Sequence, residues 1–105
     1  MLITTTSTVD GKPVQEYLGV INAQSIIGAN IFKDIFAGLR DVFGGRSKTY
    51  EKVLEQAKED ALRELSQKAQ ALGANGILGV DLDFETVGNS GSMLMVIATG
   101  TAVRL

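Results

Sequence analysis

The sequence predicts an α+β domain in which an antiparallel sheet carries helices on one face, in the order ββ-αα-ββ. Three observations point there. Two stretches at helical spacing, 30–43 and 47–72, lie side by side in mid-chain, β-prone runs occupy both ends, and each end holds a turn signal, Asp10-Gly11 in the first and Gly88-Asn89-Ser90-Gly91 in the second. A chain of 105 residues with 45% apolar content suits a single domain, 1–105. By area scaling it buries roughly 65% of its unfolded surface, enough for two layers.

At the N-terminal end, β-prone runs flank Val9-Asp10-Gly11-Lys12, and Asp-Gly between such runs signals a hairpin. Pro13, just past the turn, suits an edge position. Val14 to Ile27 reads as a long strand whose alternation breaks near Gly19 and Asn22, which predicts a bulge or kink.

Asn30 supplies an N-cap for a first helix, in which Ile31, Phe32, Ile35, Phe36, Leu39, Val42 and Phe43 recur up to the stop at Gly44-Gly45. Its apolar arc is wide, and the phenylalanines read as packing in the core or against another chain. A second helix runs from Ser47 to Leu72, with Gly73 as the left-handed residue that ends it. Tyr50, Val53, Leu54, Ala57, Ala61, Leu65, Ala69 and Leu72 form its buried stripe, and Glu59/Arg63 and Glu64/Lys68 pair on the solvent side. At 1.5 Å per residue this helix is about 37 Å long, longer than the roughly 33 Å diameter of a sphere of the radius of gyration expected for the chain.

Ile77 to Val87 alternates, with Leu78, Val80, Leu82 and Phe84 on one side and Asp81, Asp83 and Glu85 on the other. The strand from Ser92 to Arg104 returns antiparallel to it. If Phe84 faces Val96, Leu82 faces Ala98 and Val80 faces Gly100, so the inner side is consistently apolar. The same register sets Met95, Ile97 and Thr99 opposite Glu85, Asp83 and Asp81. A face half acidic and half apolar is neither ordinary solvent surface nor a core, and contact with a second subunit resolves the conflict.

Ten basic and twelve acidic residues leave a net charge of −2, so no basic field draws in nucleic acid or an anionic membrane, and neither is expected as a partner. The sequence has no cysteine and no histidine, which removes thiolate nucleophiles, imidazole bases and the usual transition-metal ligands together. Proton transfer would fall to Asp, Glu, Lys, Tyr or Ser with strongly tuned pKa values, so no enzyme is expected. The start, Met1-Leu2-Ile3 and then threonines, has neither a basic region nor a long apolar run, and the cytoplasm is the expected compartment.

Two constellations carry candidate chemistry. Gly45, Arg46 and Ser47 offer an anion site, with flexible glycine leading into a helix whose free N–H groups are partly positive and Arg46 adding a bidentate fork. The same stretch also reads as a plain helix–helix turn, with Gly44 after one helix and Ser47 capping the next. Asp81, Asp83 and Glu85 present oxygen ligands suited to a hard divalent cation. Alternate side chains on a strand stand nearly 7 Å apart, so a charged face paired with basic groups of a neighbour is the competing account. The residues name no cofactor and no small ligand.

Several short segments, in order, resemble the YbjQ family of small bacterial and archaeal proteins. They are Gly28-Ala29-Asn30-Ile31-Phe32, Gly44-Gly45-Arg46-Ser47 with Tyr50-Glu51, Leu72-Gly73-Ala74-Asn75, Gly79-Val80-Asp81-Leu82-Asp83-Phe84-Glu85, Ser92-Met93-Leu94-Met95-Val96 and Gly100-Thr101-Ala102-Val103. The resemblance spans nearly the whole chain. It implies a dodecin-like subunit assembled as a ring-shaped homopentamer, and it brings a heavy-metal-binding label. Soft metal ions need thiolate or imidazole, so the label is not expected to hold for this sequence. The reading is a non-catalytic homo-oligomer acting as a scaffold or binding module, with a cation at the acidic strand or an anion at the 44–47 turn as the alternatives.

Overall fold

In the computed structural model, which describes residues 1–28, 48–88 and 93–105, one long helix lies across a four-stranded sheet. The elements are β1 (Leu2–Ile3), β2 (Glu16–Ile27), α1 (Lys48–Ala71), β3 (Gly76–Val87) and β4 (Met93–Arg104). The predicted first helix over 30–43 falls outside the described residues.

The sheet order is β1-β3-β4-β2, and β2 and β3 both run antiparallel to the central β4. β1 pairs parallel with β3, Leu2 beside Gly76 and Ile3 beside Ile77, which makes the sheet mixed where an all-antiparallel one was expected. The turn at Val9–Lys12 forms, with Lys12 N–H donating to the Val9 carbonyl and Gly11 at φ +76°. It does not close the expected hairpin, because its two arms lead to opposite edges of the sheet. The backbone of Thr4 and Thr6 bonds Ile77, Gly79 and Val80 of β3 instead of β2, while the two hydroxyls bond each other and the Thr8 carbonyl.

α1 occupies the inner face. Ala57, Ala61, Leu65 and Ala69 are buried against Ile21, Ala23, Ile27, Ile77, Val80, Leu94, Val96, Ala98 and Ala102, and the small alanines let helix and sheet approach closely. Leu62, which the expected stripe omits, also packs on this core, while Leu72, its expected last member, is half exposed beyond the helix end. The helix closes as a Schellman motif: Ala74 N–H bonds the Ala69 carbonyl, Gly73 N–H bonds that of Gln70, and Gly73 takes φ +86°. Outside, Arg63 pairs with Asp60 at 3.0 Å where Glu59 was expected, and Lys68 lies 3.8 Å from Glu64. The described residues form a slab with extents of 51 × 29 × 17 Å, so a helix too long for a sphere fits along it.

Two bulges set the phase of the strands. One interrupts β2 between Tyr17 and Gly19, close to the expected break. The other interrupts β3 between Leu78 and Asp81, within the stretch expected to alternate regularly. Gly79 adopts φ +59° there, and the N–H groups of Gly79 and Val80 bond the carbonyls of Thr6 and Thr4. The bulge brings Ile77 and Val80 together over Gly100, where a Cβ would lie 2.6 Å from Ile77 Cγ2 and 3.1 Å from Val80 Cγ2. Leu78 is buried as well, on the opposite side of the strand from Ile77.

Candidate functional site

The face of the sheet turned away from α1 is where the unresolved chemistry lies. Past the bulge the expected β3–β4 register holds, with Asp81 beside Thr99, Leu82 beside Ala98, Asp83 beside Ile97, Phe84 beside Val96 and Glu85 beside Met95. On the far side of β4, the same rows continue to Asn22, Gln24 and Ile26 of β2. Each row therefore reads carboxylate, Thr or apolar side chain, then amide or apolar side chain. Asp81, Asp83, Glu85, Asn22, Gln24 and Ile26 are all exposed. Among the described residues no helix covers this face.

The carboxylates crowd one another. Repulsion from Asp81 holds the Asp83 carboxyl above its ordinary value, reinforced by a side-chain hydrogen bond to Asp81, by partial loss of solvent and by Glu85. None of the ion pairs among the described residues involves these three acids. No three acidic side chains among the described residues converge into a group that could hold a metal ion. Asp81 and Asp83 are thus brought together, with Glu85 one step along the strand. Gly45, Arg46 and Ser47 lie outside the described residues.

Among the described residues both long edges of the sheet are open: β2 pairs with β4 alone, and β3 loses its partner on the other side once the N-terminal segment leaves it at Val80. A shallow groove lined by the apolar Ile3, Leu62, Val80 and Leu82 together with Thr4, Thr5 and Asp81 lies where the N-terminal segment leaves β3. Lys68 reaches from α1 to β2, where its Nζ donates to the Asn22 carbonyl at 2.7 Å. Asn22 and Gln24 escaped the reading from sequence, because nothing local tells which strand will flank β4.

A family model described as "Putative heavy-metal-binding", the YbjQ model, matches residues 1–105. The chain belongs to the YbjQ family. Its sequence is 59% identical to the UPF0145 proteins of two Caulobacter vibrioides strains, NA1000 / CB15N and ATCC 19089, with both chains covered in full. The fold is similar to a crystal structure of a Pediococcus pentosaceus protein of the DUF74 family, at a TM-score of 0.67 and 22% identity over 100% of this chain and 97% of the other. The donor set of this YbjQ member does not fit the heavy metal in the family description. It has neither thiolate nor imidazole, and the thioethers of Met93 and Met95 sit half-buried on β4. Among the described residues no helix is long and apolar enough to cross a membrane.

Proposed function

We propose that this YbjQ protein is a non-catalytic cytoplasmic building block that self-associates into a closed ring, with five copies as the number the family resemblance supplies. One observation carries the reading: large apolar side chains stand in water on both edges of the sheet. Val20 is 78% exposed, Tyr17 71% and Ile26 57% on β2, and Phe84 is 49% exposed on β3. Two different sticky edges suit head-to-tail contacts, which close into rings. Light scattering on the untagged protein at micromolar concentration tests it. A single multimeric species near five times 11.1 kDa is expected, and a species of 11.1 kDa alone overturns the proposal.

A further inference from the structure

We propose that the free edge of β2 in one copy docks beside the free edge of β3 in the next, so that the side-chain amides of Asn22 and Gln24 donate to the carboxylates of Asp81, Asp83 and Glu85. The inference rests on the self-association proposed above and names the surfaces that meet. Both strands run antiparallel to β4 and hence parallel to each other, so a copy translated across the sheet brings β2 alongside β3 without reversal. Neighbouring strands stand about 4.8 Å apart, within reach of an amide N–H and a carboxylate oxygen.

Complementarity selects this pairing. β3 offers acceptors only, at every second residue, and they repel one another with no basic side chain paired to them among the described residues. β2 offers exposed carboxamide donors at the same two-residue spacing, on the same face of the sheet. An amide donating to a carboxylate stabilises its charged form, which relieves the crowding at Asp83. Apart from the Asn22 carbonyl, which Lys68 already holds, the backbone groups that no described residue pairs on the two edges bond across the joint as in any strand addition. Phe84 and the groove of Ile3, Leu62 and Leu82 lie beside the same joint and are covered by the incoming copy.

The absence of cysteine makes a clean test possible. In the full chain, Gln24→Cys is combined with Asp83→Cys, and in a second variant with Asp81→Cys to allow for a different stagger. Within one chain these positions flank β4 and stand two strand spacings apart, about 9.6 Å, too far for a disulfide. Mild oxidation is therefore expected to give a ladder of covalent multimers from at least one double variant, with loss of most of the monomer band on a non-reducing gel. Gln24→Cys alone is expected to stay monomeric on that gel. Multimers in light scattering without any covalent ladder overturn the β2–β3 assignment and leave self-association standing. Covalent dimers from Gln24→Cys alone assign β2 to a second β2 and also overturn it. A species of 11.1 kDa before oxidation removes both proposals.

Discussion

Asn75 holds the backbone of Leu105 with both ends of its side-chain amide, Oδ1 accepting from the Leu105 N–H at 2.7 Å and Nδ2 donating to the Leu105 carbonyl at 3.2 Å. The amide thereby acts as one more rung of ladder beside β4, while Asn75 N–H bonds the Val103 carbonyl. Beside it, Arg104 spans Glu16 at 3.1 Å and the Gly73 carbonyl at 3.4 Å, so the last residues tie the helix end to β2. Asn75→Ala removes two hydrogen bonds at an exposed site, each worth about 0.5–1.5 kcal/mol, and should lower stability by roughly 1–2 kcal/mol. Urea unfolding of the two proteins at equal concentration measures it. An unchanged midpoint would show that water replaces the clamp at no cost.

Leu65 is fully buried at the centre of the α1 contact, and Gln67 lies on the solvent side of the same turn. Leu65→Ala is expected to cost about 2–5 kcal/mol through lost transfer energy and the cavity left behind, and Gln67→Ala almost nothing. Thermal or urea midpoints separate them, and equal shifts would contradict the packing described.

Asp83 gives a pH dependence whose sign follows from its raised pKa in the folded chain. Below the ordinary value of 3.8 both folded and unfolded forms hold the proton, and Asp83 contributes nothing. As pH rises through the window from 3.8 to the raised value, the unfolded form releases its proton first, so stability falls and the loss persists to neutral pH. Asp83→Asn should therefore be more stable than the parent at pH 7 when both are dissociated chains, with the advantage fading towards pH 3. A variant that is less stable at pH 7 would mean that the carboxylate has a partner in the dissociated chain.

Much of this was legible in the residues, and the exceptions share a cause. The β3–β4 register from Asp81 onward could be read because polar and apolar residues alternate on β3 and only residues 88–92 separate the two strands in sequence. The bulge at Gly79 could not, since Leu78, Gly79 and Val80 fit either phase and only the approach of the N-terminal segment decides between them. The β-prone start was legible but its parallel pairing as β1 with β3 was not, as that partner lies more than seventy residues away. At the candidate site the acidic side was visible as a strand face. Its amide counterpart was not, because β2 and β4 are more than sixty residues apart in sequence.

Gly100 acts as a keyway for the sheet. A slip of β3 by one residue would turn Asp81, Asp83 and Glu85 into the core. A slip by two would keep every residue on its proper face, so polarity alone cannot forbid it, but it would bring Ile77 and Val80 over Ala98 or Ala102, where a methyl group already fills the space left open at Gly100. Only one alignment seats. The height of the carboxylates along the open edge, and with it the row that any neighbouring strand must match, is thus decided on the other side of the sheet by the smallest side chain in the protein.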